Sequence, residues 1–398
     1  MSTDIAADLD ARVRTLLAQH DPATTDPREF LGARFDAGLA WVHFPRGCGG
    51  LELPRTFQQR VEAQLAAAGA PPPGLGRNVI GMGMAAPTIA AFGTDEQKRK
   101  FLRPLYTGEH IYCQLFSEPG AGSDLAGLAT RAVRDGPDGD WIVNGQKVWT
   151  SMAQHAQMAI LLARTDPAVP KHQGLTYFLC DMTVPGIEIR PLRQITGEAE
   201  FNEVFLTDVR VPDANRLGPE GGGWKVATTT LNNERLAIGN RPGVPREGGM
   251  IGKVTQAWRS EPGLRNPAMH DQLMRLWVES EVTRLTGERL RQRLAAGQPG
   301  PEGAGMKIAF ARLAQAISGF ELELHAESGL QYDDWTMRRP ETVDLIGREP
   351  GYRYLRARGN SIEGGTSEIL RNTIAERVLG LPPEHRVDKD VAWKDLER

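Results

Sequence analysis

The residues Phe116-Ser117-Glu118-Pro119-Gly120-Ala121-Gly122-Ser123-Asp124 gather small, polar and conformationally free side chains into nine consecutive positions. Glycine lets a backbone approach a flat or anionic ligand closely, and the Ser117 and Ser123 hydroxyls can donate to ring carbonyls or phosphate oxygens. By residue type the stretch is a ligand-capable loop, although a glycine-rich domain connector has the same composition. A second group, Asn144-Gly145-Gln146-Lys147-Val148-Trp149-Thr150-Ser151, ends on an aromatic ring and two hydroxyls. Taken alone, Trp149 reads as a core or cross-strand aromatic.

These groups sit in a chain whose patterning changes twice. From residue 1 to about 115 apolar positions recur at helical spacing, as in Ile5, Leu9, Val13, Leu16 and Leu17, between breaks such as the PPPGLG run at 71–76. Thr94, three residues before Gln97, predicts a capped helix start. Near Tyr112 short β-rich runs take over: WIVNGQKVW from 141, MAILLAR from 158, LTYFLCDM from 175, GIEIRPL from 186 and FNEVFLTDVRV from 201. Turn residues separate them at intervals suited to antiparallel pairing. After the Pro219-Glu220-Gly221-Gly222-Gly223 break the helical period returns, predicting helices over 224–239, 250–260, 268–296, 303–330 and 366–380, with loops at 241–249 and 297–303.

Composition removes several function classes. Lys and Arg number 47 against 50 Asp and Glu, a net charge of −3 that gives no electrostatic basis for nucleic-acid binding. Cys48, Cys113 and Cys180 are widely spaced and predict buried thiols rather than a disulfide framework or a zinc site. The N-terminal residues carry acids and lack an apolar core, and no run approaches a membrane span, so a soluble cytoplasmic protein is expected.

The loop at 116–124, the segment at 144–151, the stretch from Val211-Pro212 to Leu217-Gly218, and Gly365-Thr366-Ser367-Glu368-Ile369 together resemble, in the same order and over nearly the whole chain, the acyl-CoA dehydrogenase family. The resemblance implies an α+β fold: an N-terminal helical domain at 1–115, a central β-barrel-like domain at 116–223 and a C-terminal four-helix bundle at 224–398. It implies FAD as cofactor and dehydrogenation between the α and β carbons of an acyl-CoA thioester. Gln114, Phe116, Ser117, Gly122 and Ser123 would then line the flavin's pyrimidine edge, Trp149 would cover one ring face, and Ser151 would sit near N5. Thr366 and Glu368 would belong to the C-terminal flavin loop, and Gln272 would replace a family glutamine. Ser123 and Arg235 would meet the substrate.

Such chemistry needs a carboxylate aimed at one carbon in a dry slot. Most members carry it immediately before the Gly-Thr of the C-terminal loop, where this chain has Gly364. A minority place it in a Glu-Arg pair on the first helix after the β domain, and this chain reads Leu231-Asn232-Asn233-Glu234-Arg235-Leu236 there. Glu234 is therefore the expected base, with Glu363 as fallback. Gly364 keeps its N–H, which the resemblance assigns as an oxyanion donor to the thioester carbonyl.

Two further departures bear on partners and pocket. Relatives that form homotetramers hold the FAD diphosphate through an Arg-x-x-Phe-Gly segment and a Gly-Gly turn; this chain has Gly263-Leu264-Arg265-Asn266-Pro267 and Ser328-Gly329-Leu330-Gln331-Tyr332 instead. Either a homo-oligomer with a differently built site or a heterotetramer with a related subunit is expected, with an electron-transfer flavoprotein as acceptor. The RPGVPREGG run at 241–249 is expected to end the base-bearing helix early and, with Gly364, to leave room for a bulky or branched acyl group. Within the same fold a flavoprotein oxidase or monooxygenase, or a non-catalytic subunit completing a partner's FAD site, remain open alternatives.

Overall fold

A computed structural model describes residues 2–239, 245–295, 303–332, 334–341, 347–386 and 388–396. Contacts divide the chain into two compact units: Met1–Leu192 with Phe201–Asn233 and Val387–Arg398, and Arg193–Glu200 with Glu234–Arg386.

The first unit begins with five helices, α1 (Ser2–Gln19), α2 (Pro27–Asp36), α3 (Gln58–Ala67), α4 (Ala86–Phe92) and α5 (Asp95–Thr107). The helical period of α1 buries Leu9, Val13 and Leu16 against Phe30, Leu39, Val61 and Leu65. At the start of α5 the Thr94 hydroxyl accepts from the Gln97 N–H while the Gln97 side chain accepts from the Thr94 N–H, the reciprocal cap its spacing predicts. Gly108, at φ +74°, ends the helix in the left-handed conformation.

Seven strands follow: β1 (Tyr112–Leu115), β2 (Arg131–Arg134), β3 (Trp141–Ser151), β4 (Met158–Arg164), β5 (Leu175–Asp181), β6 (Ile187–Leu192) and β7 (Phe201–Val211). They form one sheet ordered β1-β4-β2-β3-β7-β6, with β5 on the other side of β4. The runs whose turn spacing suggests antiparallel pairing do pair so, β3 with β7, β4 with β5 and β6 with β7, whereas β1 and β2, outside those runs, both pair with β4 in parallel. β4 is buried along its whole length because both faces are covered. Met158, Ile160 and Leu162 join a core with Phe101, Leu105 and Tyr106 of α5, whereas Ala159, Leu161 and Ala163 pack with Trp141, Val143 and Phe178 inside the sheet.

Helix α6 (Gly223–Gly239) spans the point where the two units divide. In the second unit α7 (Gly249–Ser260), α8 (Pro267–Ala295) and α9 (Gly303–Gly329) enclose a core of Ile251, Val254, Leu273, Leu276, Leu313, Ile317, Phe320 and Leu324. These boundaries follow the sequence periodicity within a residue or two. An additional helix, α10 (Pro350–Ala357), buries Tyr352, and its Arg353 makes a buried two-bond pair with Glu321 of α9. Then comes α11 (Ser367–Arg377). Of the proline-rich loop expected at 241–249, residues 241–244 lie outside the described residues; from Pro245 the chain turns, with Gly248 N–H donating to the Pro245 carbonyl. Most of the expected loop at 297–303 also lies outside them.

Candidate active site

In the first unit two sequence groups clasp each other. Lys147, on β3 with no exposed surface, directs its three ammonium hydrogens to the Phe116 carbonyl at 3.0 Å, Glu118 Oε1 at 2.9 Å and the Leu162 carbonyl at 2.9 Å. Glu118 also accepts from the Ala129 and Thr130 N–H groups, at 2.7 and 2.9 Å. Burial would raise the Glu118 pKa, but the charge and bond of Lys147, aided by Thr130 and Ala129, hold it below the usual carboxylate range. The buried pair therefore fixes the backbone at 116–118 to the middle of β3.

Gly145 makes that approach possible. A Cβ there would lie 2.3 Å from Thr130 Oγ1 and 2.8 Å from Thr130 Cα, so a side chain would push away the residues that donate to Glu118. Gly120 and Gly122 differ, since a Cβ on either would meet nothing among the described residues within 4 Å.

The clasp also presents Trp149. Between Lys147 and Thr150 the β3–β7 register slips by one residue, a bulge at which the Val148 N–H leaves the ladder and donates to the Ser117 carbonyl at 2.9 Å. Trp149 takes a left-handed φ of +59°, and its ring turns outward, 57% exposed, with an edge contact to Phe201. A bulky residue held in that conformation stores strain of order 1–3 kcal/mol. Strand alternation would not place the indole there.

The other residues expected on the flavin side fall around this clasp. Gln114 and Ser117 are half-buried, Gly122 and Ser123 exposed, and Ser151 is half-buried at the end of β3. The Phe116 ring is buried edge-on to Tyr177, so Phe116 can meet a ligand only through its backbone.

In the second unit Glu234, half-buried on α6, comes close to Gly364 although 130 residues separate them in the sequence. A Cβ built on Gly364 would lie 3.7 Å from Glu234 Oε1 and 3.9 Å from Lys307 Cε. Gly364 and Gly365 form a left-handed turn, at φ +62° and +92°. No hydrogen bond among the described residues takes up the Gly364 N–H. Glu363 points elsewhere: its carboxylate makes a two-bond pair with Arg356 at 2.9 and 3.1 Å, and Arg356 also lies 3.3 Å from Glu200.

Thr366 caps α11 by accepting from the Ile369 N–H, which leaves its own hydroxyl hydrogen free to donate. Glu368 is exposed and paired with Arg371, and Gln272 is exposed on α8 facing Glu323. The Arg235 side chain lies outside the described residues. Glu118 and Lys147 lie inside the quoted motifs without a role assigned to them, and Lys307 and Arg356 lie outside the motifs. Lys147 alone carries a signal, because it shares the inward parity of Trp141 and Val143 and a lysine on a buried strand face demands an acid.

Residues 4–109, 113–209 and 221–379 match family models described as the N-terminal, middle and C-terminal domains of acyl-CoA dehydrogenase. The chain is 43% identical over 350 residues to acyl-CoA dehydrogenase FadE34 of Mycobacterium tuberculosis, covering 87% of this chain and 45% of that protein. It thus spans less than half the length of FadE34. It is 36% identical over 355 residues to acyl-CoA dehydrogenase IpdE1 of the same organism, covering 87% and 86%. Among solved structures, the Tcur3481-Tcur3483 steroid ACAD superposes with a TM-score of 0.71 at 26% identity, over 96% of this chain and 98% of that one. The ChsE4-ChsE5 complex of M. tuberculosis gives 0.67 at 28% identity, with the same coverage.

Proposed function

The chain belongs to the acyl-CoA dehydrogenase family, flavoproteins that act as oxidoreductases on CH–CH groups, and from that premise we propose that it dehydrogenates an acyl-CoA thioester between Cα and Cβ with Glu234 as the base. The observation that carries the reading is the meeting of Glu234 with Gly364. A carboxylate from α6 stands within van der Waals reach of the place where a side chain at position 364 would begin. On this reading the α6 carboxylate would take over from one carried at position 364.

FAD fits the residues of the first unit. Among the described residues a Cβ at position 120 or 122 would meet nothing within 4 Å, which leaves room for a ligand to approach this backbone closely. Gln114, Ser117, Ser123 and the 116–117 backbone would hold the ring's polar edge, the Trp149 ring would cover a face, and the Ser151 hydroxyl would donate. Gln272 and Glu368 would have to exchange Glu323 and Arg371 to take part. When bound, FAD supplies the acceptor for the β hydride. Glu234 takes the α proton, and the Gly364 N–H donates to the thioester oxygen as negative charge gathers there, an interaction worth on the order of 3 kcal/mol. Ser123 and Arg235 would position the thioester.

A bulky acyl group is the proposed substrate class, supported by the absence of a side chain at Gly364 and by similarity to the Tcur3481-Tcur3483 steroid ACAD. The working form is proposed to be an oligomer, either of this chain or with a related subunit as in the ChsE4-ChsE5 complex, with an electron-transfer flavoprotein as acceptor. Met274, Val278, Val282 and Leu285 recur at spacings of four, four and three along α8 and are exposed, an apolar stripe suited to association. No helix among the described residues is long and apolar enough to cross a membrane.

The test is anaerobic bleaching of the bound flavin by a panel of acyl-CoA thioesters. Glu234→Gln should retain flavin and lose turnover by a factor of about 10²–10⁴; near-normal turnover there, with loss in Glu363→Gln, would move the base to Glu363. Hydrogen peroxide production without added acceptor would mark an oxidase.

A further inference from the structure

Lys307 of α9 reaches the turn that faces Glu234 and has no counterpart in the motifs. Its ammonium donates to the Gly365 carbonyl at 2.7 Å. Its Cε and Glu234 Oε1 both lie within 4 Å of the point where a Gly364 Cβ would stand, so the cation and the carboxylate flank one small volume. The carboxylates whose charge acts on Lys307 are Glu363 of the loop before the turn, Glu234 of α6 and Glu368 of α11.

We propose that Lys307 is the positioning residue of the site. Its hydrogen bond fixes the Gly364–Gly365 turn, and its charge keeps the Glu234 carboxylate ionised as substrate replaces water. This rests on the reading of Glu234 as the base. The physical need is plain, because a carboxylate enclosed with an acyl chain loses hydration and becomes harder to ionise, whereas a proton acceptor must be ionised to act. A cation whose charge acts on the carboxylate opposes that loss. Burial lowers the Lys307 pKa and the three carboxylates oppose the lowering. The bond to Gly365 gives a second effect, since a turn held at its second residue presents the Gly364 N–H in one direction.

The test uses the flavin-loaded full chain with Lys307→Met, Lys307→Gln and Lys307→Arg, beside Glu234→Gln. Gln can still donate to the Gly365 carbonyl but carries no charge, which separates the two effects and provides a second variant should Met not fold. The readout independent of turnover is an infrared titration of the protonated-carboxyl band that disappears in Glu234→Gln. In Lys307→Gln and Lys307→Met its midpoint should rise by about one pH unit, and in Lys307→Arg it should remain near that of the parent protein. The acid limb of kcat/KM should move with it, giving about a tenfold lower value on the acid side for each unit. A midpoint unchanged in Lys307→Gln, with Glu234→Gln inactive, would overturn the inference and leave the proposed function standing. An active Glu234→Gln would overturn both.

Discussion

Removing one member of the Glu118–Lys147 pair should be among the most damaging single changes outside the proposed chemistry. Lys147 has no exposed surface and all three of its ammonium hydrogens are engaged. In Glu118→Gln the cation keeps two carbonyls and loses its counter-charge, and an uncompensated buried charge costs about 3–5 kcal/mol. In Lys147→Met the carboxylate keeps two backbone N–H donors, but the Phe116 and Leu162 carbonyls lose the ammonium, at roughly 1–3 kcal/mol for each buried group left unsatisfied. Each single change is thus comparable with a large part of a domain's total stability, about 5–15 kcal/mol. The double variant leaves no unpaired charge and should cost less than the sum of the singles by about 2 kcal/mol or more. Urea unfolding of the four proteins gives this cycle directly, and flavin content after gel filtration reports on the 116–118 backbone and the Trp149 bulge. The pH dependence follows from the depressed Glu118 pKa: its contribution is present above the unfolded carboxylate value and is lost as pH falls through the folded one. The gap between parent and Glu118→Gln should therefore narrow on acidification. A Glu118→Gln cost below about 1 kcal/mol, or strictly additive singles, would refute the argument.

Other expectations follow from single positions. Trp149→Gly removes an exposed ring from a left-handed backbone, so stability to urea should hold or rise while retained flavin falls; unchanged flavin content would remove the indole from the proposed site. Gly145→Ala should destabilise by about 1–3 kcal/mol because its Cβ would overlap Thr130, and Gly364→Ala by only about 1–2 kcal/mol, since its Cβ has ordinary contacts and just the φ of +62° resists it. Comparing the two urea midpoints distinguishes these causes. Trp393 donates to the Gly127 carbonyl at 3.1 Å and stacks under Arg164, so Trp393→Ala should speed amide hydrogen exchange at the end of the glycine-rich loop. Asp213 is held at about 2, first by its bond with Arg216 and also by Trp141 and Arg134. The stability deficit of Asp213→Asn should accordingly be present near neutrality and shrink as pH falls toward 2.

Much of this was legible in the residue order, for reasons that are local. Helical spacing of Leu9, Val13 and Leu16, the Thr94–Gln97 cap and the β-rich runs from 141 to 211 place their elements because each depends on neighbours within a few residues. The ordered motifs and the substitution of Gly364, with Glu234 available on the first helix after the β domain, are equally a matter of reading the chain. What the order of residues left open depends on distant segments. β1 and β2 run parallel to β4 because the connections between them are long enough to return the chain in the same direction, which turn composition does not reveal. Trp149 faces outward because a single-residue slip of β3 against β7 breaks the alternation. Lys147 finds Glu118 29 residues away, and Lys307 reaches the Gly365 carbonyl 58 residues along the chain. Even the meeting of Glu234 with Gly364, where sequence named both members, is a distance that only packing sets. Sequence determined which groups can bind, ionise or bend; tertiary structure decided which face one another, because electrostatic and hydrogen-bond energies depend on separations of a few ångströms that the chain order does not encode.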